Sequence, residues 1–321
     1  MFTKKDIELK SIFVINCFDK KYLRVKNGEL LLEDSTSGKT LTKFPFQKLL
    51  ALFIIGNATI TTPLIEKCRK YGVYISVMKM SLRPVFTYGF SAEANYLLRE
   101  RQYQRDKESI SESIAIIYSK ISNQLKLLQN TKKKDELTGD AIETCKTGLE
   151  LLPTMTNYQE LMGVEGWASK AFFKAYYSEF DWSGRVPRAK TDVLNVTLDI
   201  GYTVLFNFIE TFTSMFGFDN YCGVYHRLWF KRKSLICDLM EPFRCLIDQQ
   251  VRKSFNKKQF SAKDFEKNKN EYYLKHDKSG DYYKVFFSCL IEHKVDVFMY
   301  VRNYYRAFMS GGKKEYPKYL I

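Results

Sequence analysis

Residues 222–244 read Cys-Gly-Val-Tyr-His-Arg-Leu-Trp-Phe-Lys-Arg-Lys-Ser-Leu-Ile-Cys-Asp-Leu-Met-Glu-Pro-Phe-Arg and carry the side chains best equipped for chemistry. His226 stands three residues after a glycine, and Asp238 and Glu241 follow further along the stretch. At an i,i+3 spacing the two carboxylates share one face if the chain is helical from Ser234 onward. An imidazole beside hard carboxylate oxygens is a ligand set for a divalent cation that must also contact phosphate. Arg227, Lys231, Arg232, Lys233 and Arg244 surround that group with positive charge, which suits work on a polyanion. A plainer reading uses the same residues. Asp238 can cap a helix while Glu241 reaches back, with Pro242 in the first turns. The chemical reading needs a third ligand from elsewhere in the chain.

Residues 161–170, Leu-Met-Gly-Val-Glu-Gly-Trp-Ala-Ser-Lys, offer one. Glu165 lies between Gly163 and Gly166, just ahead of a predicted aromatic-rich amphipathic helix over 168–180. As structure, it is an acid favoured by a helix N-terminus. As chemistry, it completes a set of Glu165, His226 and Glu241, with glycines that let backbone or DNA approach closely.

The elements that must position these residues fall into two parts. Up to residue 90 the chain reads as β-rich, with strands predicted over 11–16, 22–26, 29–33, 46–55, 73–78 and 84–88 and a further β-prone stretch over 58–61. Asn27-Gly28 separates the second and third of these runs, a strong hairpin signal. A helix over 63–71 is stopped by Gly72. From 93 to 129 apolar residues recur at 97, 98, 110, 114, 117, 121, 125 and 128, the rhythm of one amphipathic helix. A polar loop is expected over 131–140, followed by a helix through Ile142, Cys145 and Leu149. A long apolar helix over 192–216 ends at Gly217. Asn195, Asp199, Asn207 and Glu210 interrupt it, which places it in a protein core and not a bilayer. The Lys- and Tyr-rich segment 252–284 reads as a charged excursion, with a nucleic-acid groove of stacked aromatics and cations as the alternative. A last helix is predicted over 295–309, then a frayed basic tail.

Composition narrows the class. The 321 residues carry 51 Lys+Arg against 36 Asp+Glu, a net charge of +15 that favours polyanionic partners, nucleic acid before an anionic membrane surface. Hydrophobic residues at 45% exclude a disordered chain. Seven scattered cysteines without a Cys-x-x-Cys pair argue against a disulfide framework and a zinc ribbon, and for a reducing cytoplasm. Neither a signal peptide nor a membrane span is expected.

Taken in order, Gly-Val-Glu165-Gly, Phe172-Phe173, Tyr176-Tyr177, Arg185-Val-Pro, Asp192-Val-Leu-Asn195, Gly201-Tyr202, Gly-Val-Tyr-His226 and Ser-Leu-Ile-Cys-Asp238-Leu-Met-Glu241-Pro-Phe-Arg244 resemble the CRISPR-associated protein one family, the integrases of CRISPR spacer acquisition. The resemblance covers nearly the whole chain, and departs from the family pattern at Arg188-Ala-Lys190 and in the 252–284 segment. It implies an α+β chain with a small N-terminal β-rich domain (1–90) that dimerises and a larger α-helical catalytic domain (91–321) that binds metal. It further implies a homodimer, working with CRISPR-associated protein two on double-stranded DNA. Prespacer 3′-hydroxyls would be joined to the leader–repeat and repeat–spacer junctions of a CRISPR array by transesterification. Glu165, His226 and Glu241 would hold Mg²⁺ or Mn²⁺, the histidine suiting Mn²⁺, and Asp238 would orient His226 or a metal-bound water. Arg185, Arg188, Lys190, Arg227, Lys231, Arg232 and Arg244 are the candidate DNA contacts. The rival readings are a metal-dependent nuclease or branched-DNA resolvase that cuts without joining, and a non-catalytic DNA-binding scaffold.

Overall fold

The computed structural model describes residues 2–17, 21–89, 91–106, 109–132, 135–226 and 229–321. Helix α1 (Lys4–Leu9), which sequence reading did not single out, forms under a Thr3–Asp6 capping box. Strands β1 (Ser11–Cys17), β2 (Lys21–Lys26), β3 (Glu29–Asp34), β4 (Thr40–Pro45) and β5 (Leu49–Gly56) follow. Helix α2 (Thr62–Tyr71), strand β6 (Tyr74–Met78) and strand β7 (Pro84–Tyr88) complete the β-rich part. The predicted Asn27-Gly28 hairpin is present. Both residues have positive φ, as a two-residue turn matched to strand twist requires. The strand β4 escaped sequence reading, because Thr-Leu-Thr-Lys-Phe-Pro is too polar to stand out. The β-prone stretch 58–61 forms no strand, and 46–48 is a 3-10 turn preceding β5.

Two sheets result. One has the order β1-β5-β6-β7, with β1, β5 and β6 parallel and β7 antiparallel on the outer edge. The other is the antiparallel meander β2-β3-β4. Strand β5, Leu-Leu-Ala-Leu-Phe-Ile-Ile-Gly, is buried on both faces, as a near-continuous apolar run in a central parallel strand should be. Leu49, Leu52 and Ile54 pack with the meander, whereas Leu50, Phe53 and Ile55 face the core shared with the helices. The β-rich part therefore has one core of its own and lends its other face to the helical part.

The predicted continuous helix over 93–129 is instead α3 (Tyr96–Gln104) and α4 (Ser111–Gln129), with Arg105 in an extended conformation between them. The apolar rhythm has a gap between Leu98 and Ile110, and at that gap the Arg105 guanidinium bonds the Gly223 carbonyl and lies 3.8 Å from Glu112. Helix α5 (Glu136–Leu151) begins inside the predicted loop, capped by Asp135. Helix α6 (Tyr158–Tyr176) starts ten residues before its predicted 168 because Asn157 caps it. Helices α4, α5 and α6 pack on one another.

Helix α7 (Val193–Phe216) is buried almost throughout, capped by Asp192 and stopped by Gly217. A side chain at Gly217 would face a positive φ of 84° and a Cβ only 1.9 Å from the Ala92 carbonyl oxygen. Helices α8 (Ser234–Met240) and α9 (Arg244–Asn256) pack on it, joined by a 3-10 turn over Glu241–Phe243. Pro242 has no N–H to continue the α-helical ladder, so the chain tightens there. The segment expected as a charged excursion is ordered. It holds the end of α9, a hairpin of β8 (Phe265–Asn268) and β9 (Glu271–Leu274), and the start of α10 (His276–Glu292). Phe260 stacks on buried Tyr282 at 3.8 Å, an aromatic anchor that charge-dominated composition concealed. After α11 (Lys294–Met309) the tail is tied down where fraying was expected. Tyr316 donates to Glu112 (2.8 Å), and the backbone of Tyr319 and Ile321 bonds Ser119 and Asn123 of α4. No helix among the described residues is long and apolar enough to cross a membrane.

Candidate metal and DNA site

Asp238 is fully buried on α8 and gathers the loop before it. Its Oδ2 accepts from the backbone N–H of Val224 (2.5 Å) and Tyr225 (3.2 Å), and its Oδ1 from that of His226 (2.9 Å). The same Oδ1 lies 2.6 Å from His226 Nδ1. An ionised carboxylate only accepts, so Nδ1 donates in this contact, and in the neutral imidazole that tautomer leaves Nε2 as the lone-pair donor to a metal. Gly223 lets the loop lie this close, since a Cβ there would come within 2.5 Å of Ser234 Cβ. The expected hydrogen bond between Asp238 and His226 is thus present, together with three backbone bonds that spacing alone did not foretell.

Glu165 does not sit at a helix start. It lies mid-way along α6, and its neighbours Gly163 and Gly166 face open space, so the helix flank beside it is low. Two mid-helix glycines cost about 1 kcal/mol each relative to alanine, and packing does not call for them. Glu165 reaches Lys120 of α4, whose Nζ is 2.5 Å from Glu165 Oε1 and 2.7 Å from Glu241 Oε2. Ser169 donates to Glu165 (2.9 Å), and Arg244 Nε is 3.0 Å from Glu241 Oε2. Sequence reading missed Lys120, Ser169 and Gln124. The available signal was the run Ser119-Lys-Ile-Ser-Asn-Gln124, whose polar residues interrupt the buried stripe of α4.

The electrostatics follow from that arrangement. Burial works to raise the Glu241 carboxyl, but Arg244 and Lys120 outweigh it and hold it at about 2. Burial likewise opposes ionisation of Glu165, and Lys120 reverses it, so the carboxyl is lowered. Burial tends to lower the Lys120 ammonium, yet Glu165 and Glu241 leave it raised. Behind them burial pushes the Asp248 carboxyl up to about 7, against the 2.5 Å hydrogen bond from Tyr202.

Two carboxylates and an imidazole with a free Nε2 fit a divalent cation in donor type. Glu241 Oε2 is moreover buried and faces only the cations Lys120 (2.7 Å) and Arg244 (3.0 Å). The grouping itself is split: Glu165 and Glu241 meet on Lys120, whereas His226 meets Asp238. Among the described residues no three His, Cys, Asp or Glu side chains are arranged to hold a metal ion by themselves.

A cavity of about 420 Å³ opens beside this cluster, lined by Lys120, Lys170, Lys174, Arg185, Arg244 and the two glutamates among others. Of the candidate DNA contacts, Arg185 and Arg244 line it. Arg185 is engaged with Asn195 and Asp199, and Arg244 stacks 4.5 Å over Tyr202. Arg188 is exposed, with its backbone N–H on Asp199. Lys190 lies 4.0 Å over the Tyr273 ring of the β8–β9 hairpin. Lys231 is exposed over Phe230, and Arg232 is half-buried. Arg227 lies outside the described residues.

The family model for CRISPR associated protein Cas1 matches residues 17–287, a span that contains every residue of this cluster. The chain belongs to the Cas1 family. The "CRISPR-associated endonuclease Cas1 1" of Thermodesulfovibrio yellowstonii is 28% identical over 276 residues, covering 83% of this chain and 84% of that protein. Among solved structures, a casposase bound to integration product superposes with a TM-score of 0.76 at 21% identity, covering 96% of this chain and 94% of that one. A chain of the Cas6-RT-Cas1–Cas2 complex gives a TM-score of 0.77 at 19% identity; this chain covers 97% of its own length there and 36% of the longer one. At such identities the structural likenesses establish a shared fold, a β-rich part followed by a mostly helical one.

Proposed function

We propose that this chain is a divalent-metal-dependent DNA integrase of CRISPR adaptation, joining prespacer 3′-hydroxyl ends to the leader–repeat and repeat–spacer junctions of an array. The observation that carries this reading is the pair Glu165 and Glu241, drawn from separate helical elements onto one buried cation. Beside them Asp238 aligns His226, and a basic cavity lies open. A nuclease that cuts without joining would use the same groups, so the chemistry of the product separates the two.

Glu165, Glu241 and His226 Nε2 would hold Mg²⁺ or Mn²⁺, with the imidazole suiting Mn²⁺. When bound, the ion would lower the pKa of an attacking hydroxyl and neutralise charge developing on the phosphoryl oxygens. The protein's own part is positional. Asp238 fixes the tautomer and direction of His226. Lys120 holds both glutamates ionised, with Arg244 beside Glu241, and the cationic rim of the cavity receives the phosphate backbone. The nucleophile belongs to DNA, so no serine or cysteine is required.

The relatives' names support DNA and Cas2 as partners, through the casposase bound to integration product and the Cas6-RT-Cas1–Cas2 complex. We assign homodimerisation to residues 1–90. The decisive test supplies a duplex with 3′-hydroxyl ends, a supercoiled repeat-bearing plasmid and Mn²⁺, with and without a Cas2 protein. Half-site joined products are expected, and cleavage without any joined strand would convert the reading to a nuclease.

A further inference from the structure

The charges of the cluster balance before any ion is added. Glu165 and Glu241 contribute two negative charges, and Lys120 and Arg244, both within 3.0 Å of one or both of them, contribute two positive. Lys120 bridges the pair with its side chain only 12% exposed, and without it two mostly buried carboxylates would repel each other. A divalent ion approaching the same carboxylates meets two fixed cations already in place. Lys120 has somewhere else to go. It lines the adjoining cavity, where Lys170, Lys174 and Arg185 outnumber the one further carboxyl, Asp248, which is itself bonded by Tyr202, so an ammonium released there needs an anion. DNA phosphate is the anion that the proposed reaction brings.

We infer that Lys120 is a displaceable counter-ion that couples metal binding to DNA binding. In the free protein it holds Glu165 and Glu241 together. A divalent cation displaces it from them into the cavity, where it pairs with DNA phosphate. Metal and DNA therefore bind cooperatively, each improving the other's affinity by the same factor. The inference rests on the metal-dependent reading above. Lys120 is thereby a positioning residue, acting on the metal site through the two glutamates and on DNA through a backbone phosphate, not on the reacting atoms.

The test reads Mn²⁺ binding to the full chain by electron paramagnetic resonance of the free ion, which requires no turnover. A duplex with 3′-dideoxy ends, unable to react, serves as the DNA. For the wild type, the duplex should tighten Mn²⁺ binding by ~10-fold or more. Lys120→Met should bind Mn²⁺ ~10-fold more tightly than wild type without DNA, and gain less than ~3-fold from the duplex. Lys120→Arg, which restores the charge, should return to weak binding with strong coupling. Should Lys120→Met fold poorly without metal, melting curves decide the matter: its Mn²⁺-induced rise in Tm must exceed that of the wild type. Lys120→Met binding Mn²⁺ no more tightly than wild type, an equal gain from the duplex in both proteins, or a smaller rise in Tm overturns the inference while leaving the metal reading intact. A wild type that takes no Mn²⁺ with or without DNA overturns the metal reading and this inference together.

Discussion

At the residue scale, the two carboxylates of the central stretch have separate work. Glu241 is buried against the cations Lys120 and Arg244, whereas both Asp238 oxygens are engaged by the 224–226 loop. Glu241→Gln should abolish joining with no rescue by Mn²⁺, and should keep DNA binding at the level the wild type shows without metal. Asp238→Asn should retain joining reduced by ~10–100-fold, partly restored by Mn²⁺. It should also lower stability by about 2 kcal/mol, because three backbone donors lose their charged acceptor. Gel-based joining assays and denaturant melts check both; the reverse ranking would move the ligand role to Asp238. Asp248 gives a pH signature. Its carboxyl is raised to about 7 when folded, so between an unfolded value of about 4 and about 7 the folded state holds the proton and the unfolded state does not. Stability should fall across that window as pH rises. Glu241, lowered to about 2, acts oppositely: its contribution is complete above about 4.5 and is lost as pH falls toward 2. Asp248→Asn should flatten the decline between pH 4 and 7 in thermal melts. An unchanged slope would show that Asp248 ionises normally.

At the element scale, the site stands where α4, α6 and the Glu241–Phe243 turn meet, and the C-terminal tail fastens that junction from outside. Asn123 of α4 donates to the carbonyls of both Pro242 (2.8 Å) and Tyr319 (3.0 Å), and the Tyr319 ring lies 4.2 Å from that of Phe243. A chain ending at Gly312 loses the Asn123–Tyr319 bond, the backbone bonds of Tyr319 and Ile321 and the Tyr316 hydroxyl on Glu112. It should be destabilised by roughly 4 kcal/mol, at about 1 kcal/mol for each of these hydrogen bonds. Joining should fall as well, because α4 carries Lys120. A truncated chain with unchanged melting and activity would show the tail to be dispensable.

At the scale of the whole molecule, the sheet β1-β5-β6-β7 and the helices share a core, so the parts cannot be separated without exposing Phe53 and Leu50. Dimerisation is therefore better tested in the full chain. Strand β7 is the outer edge, and Val85 and Phe86 on it are 66% and 39% exposed. Val85→Lys with Phe86→Lys should shift sedimentation from dimer to monomer with unchanged circular dichroism. A persistent dimer would place the interface elsewhere. With a net charge of +15, DNA affinity should fall steeply with salt, each phosphate contact adding about −0.9 to the log–log slope. Binding titrations with a slope shallower than about −3 would count against broad phosphate tracking.

What the sequence determined by itself was whatever is local or repeats. The Asn27-Gly28 hairpin and α7 between Asp192 and Gly217 were legible because turn chemistry, caps and apolar period act over a few residues. The two-part architecture followed from the change of period near residue 90. The motif order around Glu165, His226, Asp238 and Glu241 was legible as resemblance, and so was the family. The tertiary structure alone decided who meets whom. Lys120 and Glu165 are 45 residues apart in sequence, and nothing local announces that one ammonium will join two glutamates. Glu165 lies inside α6 and not at its start, because the helix begins at the Asn157 cap and its packing on α4 and α5 carries it through the two glycines. The tail and the 252–284 segment read as loose because charge dominates their composition. They are ordered by a few aromatics: half-buried Tyr316 and Tyr319 meet partners far along the chain, and buried Phe260 and Tyr282 stack on each other across the β8–β9 hairpin. Period and propensity report one segment's preference, whereas ion pairs and aromatic anchors depend on segments that only folding brings together.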